Sequence, residues 1–264
     1  MNIHFKEESL FAKLIKATIV QLEVGSPLYG LQDEHSDRDL LCIYYPFHNQ
    51  LSSFTQTHHQ LQYKAQHIDY LFVDIFTFIR NTLSGDSTLN FEAIHIENLQ
   101  YTPLEFLYTY RTYFYNYQII KAYLGFANRD LKQYWQQTSE RDASKKYIHA
   151  ERGFLFAKSI FQKNFILKDA ILLEKRQNFI SLSLSARKET LKELQNEIDY
   201  FRKTVLTTAI ESGKLTRYMQ PLHQKEIDTY LQRLKSLPHY QYAQTEEFNL
   251  DLFYTVNENG LSYE

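Results

Sequence analysis

The order of apolar and polar positions divides the chain into two parts with different rhythms. In residues 7–17 the apolar Leu10, Leu14 and Ile15 recur at helical spacing and predict a short helix. "ATIVQLEVGS" reads as a strand ending at Gly25. "DRDLLCIYYP" reads as a second strand, stopped by Pro46, and "HIDYLFVD" as a third. Residues 47–66 are polar and rich in Gln and His, which reads as an exposed connection or an irregular strand. "DIFTFIRNTLSG" predicts a helix with Asp74 as its N-cap and Gly85 just past its end. "STLNFEAIHIEN" predicts a further short helix.

From about residue 104 the period is helical and the chain is dense in aromatic residues, with helices expected at 104–124, 128–137 and 143–163. Leu191, Leu194, Ile198, Phe201 and Val205 alternate spacings of three and four, a helix seam that ends near "ESG". Another helix is expected over 222–236, stopping before Pro238. The pattern thus mixes strands and helices in residues 1–103 and is all-α in residues 104–264.

Composition agrees with this picture. With 264 residues, 44% of them apolar and 16% aromatic, the chain can bury a large core as one big domain or two small ones. Only 7 Gly and 5 Pro argue for many helices and few long linkers. The single Cys42 excludes an intramolecular disulfide framework and suits a reducing compartment. The start "MNIHFKEESLFAK" lacks a basic segment followed by an apolar run, and no apolar stretch is long enough to span a bilayer. The expectation is a cytoplasmic protein with no membrane partner. Oligomeric state cannot be read.

Charge adds an asymmetry. Residues 1–100 carry 12 acidic and 6 basic side chains, whereas residues 141–176 carry 9 basic and 4 acidic. Either this is ordinary solvated surface, or an acidic front faces a basic middle across a cleft suited to a cation and a polyanion.

The acidic side chains converge on one motif. Asp37 and Asp39 are two apart in a predicted strand, so both point to one face, with Leu41 and Ile43 continuing that face inward. Two adjacent carboxylates repel each other, and a hard divalent cation relieves the repulsion; Mg²⁺ typically takes one or two carboxylates together with phosphate oxygens and water. Asp69, in the third strand, is the natural third member, while Asp74 falls out of phase and is better used as a helix cap. Gly25-Ser26 supplies a place where a phosphate can approach the backbone and meet a hydroxyl. Gly-Ser or Asp-x-Asp alone carries little information, since turn and capping Asp residues are common. The combination of strand, Gly-Ser, Asp-x-Asp opening a second strand and a later strand Asp is far more specific.

On a helix, Lys145, His149 and Arg152 fall within roughly 60° of one another. They are separate from an apolar stripe of Tyr147, Ala150, Phe154, Ala157 and Phe161. This is either a solvated basic face or a surface for a triphosphate. Glu92 reads as a helix-surface or helix-dipole residue more readily than as a catalyst. Tyr29 reads as a loop ring packed on its own domain, with base stacking as the other option. His58 and His59 have no ligand spacing and read as surface; Trp135 reads as core, and Cys42 as an inert buried thiol.

Gly25-Ser26, Gly30-Leu31, Ser36-Asp37, Asp39 and Asp69 together resemble the DNA polymerase β-type nucleotidyltransferase superfamily. Within it, they are most similar to a bacterial and phage branch associated with RNA repair. Gly85 and Glu92 match a later element of that branch, although its Asn-Pro is replaced by Asp86-Ser87, and "KKYIHAERGF" matches a Lys/His/Arg helix. The resemblance is specific over residues 20–95 and weaker beyond 155. It implies an α+β fold: a small mixed β-sheet nucleotidyltransferase core with flanking helices over 1–103, then a helical C-terminal region over 104–264.

The same resemblance implies a Mg²⁺-dependent transfer of a nucleoside monophosphate from a nucleoside triphosphate, such as ATP, to an acceptor hydroxyl, with pyrophosphate leaving. Asp37, Asp39 and Asp69 would be catalytic and hold two Mg²⁺ ions, with Mn²⁺ as a substitute. Gly25, Ser26, Lys145, His149 and Arg152 would bind nucleotide and phosphate. The acceptor is open among an RNA 3′ end (tRNA included), a protein and a small molecule. Two other readings stand beside this one: an inactive nucleotide-binding regulatory or partner protein of antitoxin type, and a metal-dependent nuclease, which needs clustered carboxylates but not Gly-Ser.

Overall fold

The computed structural model of the protein describes residues 3–31, 38–47, 60–65, 67–137, 139–168 and 170–246. Helix α1 (Ile3–Ala17) runs directly into strand β1 (Thr18–Val24), and Thr18 Oγ1 donates to Leu14 O (2.7 Å) at the junction. Strands β2 (Arg38–Tyr44), β3 (Gln60–Ala65) and β4 (Ile68–Asp74) complete a four-stranded sheet of order β1-β2-β4-β3. β1 and β3 run antiparallel to their neighbours, whereas β2 and β4 are parallel, so the sheet is mixed.

The strand after Pro46 that was only half legible is β3, within the polar stretch; its alternation places Leu61 in the core and Lys64 in solvent. His58 and His59 lie outside the described residues.

Helix α2 (Ile75–Ser84) follows β4 without a loop. Asp74 caps it as expected: its Oδ1 accepts from Phe76 N (3.0 Å) and Thr77 N (2.9 Å), and Gly85 closes the other end at φ +75°. A short helix α3 (Thr88–Ala93) follows, capped by Ser87.

The expected helices at 104–124 and 128–137 are placed differently. Residues 97–114 form two 3₁₀ turns around a single-turn helix, α4 (Glu105–Thr109). One long helix, α5 (Tyr117–Tyr134), then starts at Asn116, whose Oδ1 accepts from Gln118 N (2.8 Å) and Ile119 N (3.3 Å). The cap, not the apolar period, decides where this helix begins. Helix α6 (Glu140–Phe161) runs along α5, and Gly153 lets them pack closely: a Cβ there would lie 3.0 Å from Tyr123 O and Phe126 Cδ1.

Helices α7 (Ala170–Ser181) and α8 (Leu184–Tyr200) follow. A π turn (Phe201–Leu206) and α9 (Thr207–Glu211) continue α8, so the expected seam is one nearly continuous rod. Leu191, Leu194, Ile198 and Phe201 are buried along it. Helix α10 (Pro221–Arg233) ends in a 3₁₀ turn, and Pro238 opens α11 (Pro238–Thr245) instead of only ending its predecessor.

Sheet and helices share a contiguous core. On one side Phe11 of α1 packs on Tyr63, Tyr70 and Phe72. On the other, Phe91, Tyr123, Phe156 and Phe165 form an aromatic cluster that joins α3, α5 and α6. Trp135, expected in the core, is 56% exposed: it sits at the C-terminal end of α5, edge-on to Tyr134, where the helix leaves the core. Among the described residues, no helix is long and apolar enough to cross a membrane.

Candidate active site

The strand register places the carboxylates. Val24 of β1 pairs with Asp39 of β2, Asp39 with Asp69 of β4, and Asp69 with Lys64 of β3. Directly paired residues point to the same face, and adjacent strands lie about 4.8 Å apart, so Asp39 and Asp69 stand side by side near the strand ends. Lys64 Nζ reaches Asp69 Oδ2 at 3.2 Å. Asp69 Oδ1 is buried and has no hydrogen-bond partner among the described residues. Asp37 lies outside them.

The chain leaves β1 at Gly25, whose φ of +80° and ψ of −149° suit only glycine. A Cβ on Gly25 would overlap Asp39 Oδ2 and come within 3.3 Å of Asp39 Cγ, so the bare backbone lies against the carboxylate. Ser26–Tyr29 then form one 3₁₀ turn, ended by Gly30 at φ +69°, and Leu31 N donates back to Ser26 O (3.1 Å). Thus the sequence elements Gly25-Ser26, Asp39 and Asp69 meet at one end of the sheet.

A second group lies immediately behind the turn. Tyr29 is buried, and its hydroxyl donates to Glu92 Oε2; Tyr123 of α5 donates to Glu92 Oε1 at 2.9 Å. The Arg152 guanidinium lies 3.8 Å over the Tyr29 ring. Glu92, read as a surface residue, is therefore a correction: it is 1% exposed and binds two phenols from different elements. Its partner Tyr29 is 63 residues away, which is why local reading missed the pair. Burial, then the Glu92 charge, holds the Tyr29 phenol well above its usual range; Arg152 opposes this and Asp39 adds to it. Tyr123 is raised in the same way, by burial first and Glu92 second. For Arg152, burial works against the charge, but Tyr29, Glu92, Tyr123 and Asp130 outweigh it and keep the guanidinium protonated.

The helix trio divides. Lys145 is exposed on α6. Its neighbour Lys146 turns to α5, with Nζ 3.2 Å from Asp130 Oδ1 and 2.7 Å from Gln133 Oε1. His149 Nδ1 lies 4.0 Å from Asp130 Oδ2. Burial, together with Arg152, Lys145, Lys146 and Arg129, lowers the His149 pKa to about 3, so the ring is neutral at physiological pH. Arg152 is not on a solvated face: it is buried against Tyr29, with Nε unpaired among the described residues. The exposed Lys168, missed in the sequence, lies against Gly30: a Cβ there would be 3.4 Å from its Cε. So two cations of the basic segment, Arg152 and Lys168, flank the turn.

The donor set suits a hard divalent cation. Asp39 and Asp69 offer oxygens side by side, one of them buried without a hydrogen-bond partner among the described residues, and the bare Gly25 backbone lets the Asp39 carboxylate lie against the turn. No group of three metal-binding side chains occurs among the described residues, which do not include Asp37. Cys42 is buried one residue step from this face, and burial pushes its thiol up to about 12, as an inert core residue requires.

Comparison with curated proteins yields no match. Among solved structures, the chain is similar to a nucleotidyltransferase-like protein from Exiguobacterium sibiricum 255-15, at 11% identity over 75% of each chain and a TM-score of 0.32. At that distance the likeness adds nothing to the reading of the site. The sequence itself matches the RNA repair pathway DNA polymerase beta family over residues 6–233, nearly the whole described fold, and the chain belongs to that family.

Proposed function

We propose that the protein is a Mg²⁺-dependent nucleotidyltransferase. It transfers a nucleoside monophosphate from a triphosphate to an acceptor hydroxyl and releases pyrophosphate. The observation that carries this reading is the side-by-side register of Asp39 and Asp69 with Gly25 packed against the Asp39 carboxylate. Turn chemistry alone does not produce that arrangement.

In this reading Asp37, Asp39 and Asp69 hold the divalent ions, which neutralise the triphosphate when bound. The Gly25-Ser26 turn seats the phosphates. Asp69 takes the proton of the acceptor hydroxyl, whose oxygen attacks the α-phosphorus opposite the departing pyrophosphate. Exposed Lys145 supplies charge to the phosphates, and neutral His149 supplies a hydrogen bond rather than a charge. The family's RNA repair description favours an RNA 3′ end as acceptor.

The test is thermal unfolding with each of the four nucleoside triphosphates, with and without Mg²⁺, followed by pyrophosphate release with a 3′-hydroxyl RNA. A ligand at 100 times its Kd stabilises by about 2.7 kcal/mol, which is readily seen. We expect a Mg²⁺-dependent shift that Asp39→Ala and Asp69→Ala abolish, together with turnover in wild type. Binding without turnover on any acceptor would instead favour the nucleotide-binding partner reading.

A further inference from the structure

We infer that Tyr29, Glu92 and Arg152 form a buried brace that sets the position of the Gly25–Gly30 turn, making Tyr29 and Glu92 positioning residues for the nucleotide. The inference rests on the nucleotidyltransferase reading of that turn.

The turn begins and ends at glycines. Gly25 and Gly30 have φ of +80° and +69°, and between them lies a single 3₁₀ turn. Such a segment has little rigidity of its own. Tyr29 is its inward side chain. The ring is covered by the Arg152 guanidinium at 3.8 Å and approaches Phe156 at 6.1 Å, and the hydroxyl leaves the turn to reach Glu92 on α3. Glu92 is fixed in turn by Tyr123 of α5. Glu92 and Arg152 bring opposite charges into a buried, aromatic-rich region, a costly arrangement that packing alone would not call for. Arg152 meets the turn through the Tyr29 ring, so it bears on the position of the turn through that side chain.

The Tyr29 and Tyr123 hydroxyls provide a matched comparison. Each donates to one oxygen of the same carboxylate, and each is buried, but only Tyr29 belongs to the turn. If the brace positions the turn, Tyr29→Phe lets it leave its seat, and apparent nucleotide affinity falls with the fraction still seated. A buried hydrogen bond to a charged group suffices for about a tenfold loss.

The experiment is equilibrium titration of Mg²⁺ with each of the four nucleoside triphosphates into wild type, Tyr29→Phe and Tyr123→Phe, well below their unfolding temperatures. Unfolding midpoints of the same samples are recorded. The expected result is a Kd raised about tenfold in Tyr29→Phe and at least several-fold less in Tyr123→Phe, despite similar losses of stability. Equal effects of the two variants, or none, with wild type binding normally, would overturn the brace while leaving the proposed function standing. Failure of wild type to bind any nucleoside triphosphate would overturn both.

Discussion

Gly25→Ala is the sharpest single perturbation of the site, because it acts on backbone and carboxylate together. The residue sits at φ +80°, ψ −149°, where a side chain costs about 1–3 kcal/mol in strain. Its new Cβ would also overlap Asp39 Oδ2, the outer end of a flexible side chain, so the carboxylate moves rather than the sheet. The expected loss is about 2–3 kcal/mol, or roughly 4–6 °C in Tm for a chain of this size. The larger consequence is that Asp39 is turned away from its place beside Asp69.

Gly213→Ala is the control. It too has a positive φ, +71°, but a Cβ there meets nothing within 4 Å. It should lose about 1–2 kcal/mol by strain alone. Both variants and wild type are unfolded thermally with Mn²⁺ and a nucleoside triphosphate, and without them. Gly213→Ala should keep the full ligand-induced rise in Tm, and Gly25→Ala should lose it. If Gly25→Ala keeps the wild-type rise, the contact between Gly25 and Asp39 has no part in ligand binding and the reasoning is wrong.

Two further outcomes follow from the same geometry. Burial holds His95 at about 3, with Nδ1 bonded to Phe91 O at 2.8 Å and Nε2 to Tyr115 at 2.9 Å. The unfolded ring titrates near 6.5, so the unfolded state takes up more protons between those values. Stability should therefore be full above about pH 6.5 and fall by up to about 1.4 kcal/mol per unit towards pH 3; denaturant titrations of wild type and His95→Gln should show a shallower slope in the variant. Gly153→Ala places a Cβ 3.0 Å from Tyr123 O and Phe126 Cδ1, which pushes α5 and α6 apart and should cost about 1–3 kcal/mol by the same titration at pH 7.5.

What could be read in the sequence was what depends on neighbours along the chain. Strands β1, β2 and β4 and the Asp74 cap follow from spacing of one to seven residues, whereas the shared face of Asp39 and Asp69 comes from the register of β2 on β4. The start of α5 was misplaced by the period because aromatic residues before Asn116 imitate helix spacing while packing as 3₁₀ turns. Lys64 was missed because β3 is short and lies within a polar run. Its place opposite Asp69 exists only through sheet register. Glu92 was misread for a related reason: a carboxylate in a six-residue helix looks solvated until phenols from Tyr29 and Tyr123 arrive from distant elements.

Burial also changes how the basic segment serves the site. By sequence, Lys145, His149 and Arg152 form one cationic face. In the fold, His149 is neutral, and Arg152 is buried with Glu92 as its counter-charge. Neither presents a free positive charge to a triphosphate. Exposed charge on this segment includes Lys145 on α6 and Lys168 beside Gly30. Exposed ammonium groups are screened and mobile, so they attract a polyanion without fixing its geometry. Geometry must come from groups held in place by the fold: the carboxylates paired across the sheet, and the Gly25–Gly30 turn held through Tyr29. On the proposed function, the site would separate attraction from alignment, with solvent-exposed lysines for the first and a buried ionic brace for the second. On that division, neutralising Lys145 or Lys168 weakens capture in a salt-dependent way, whereas loosening Tyr29 weakens seating at any ionic strength.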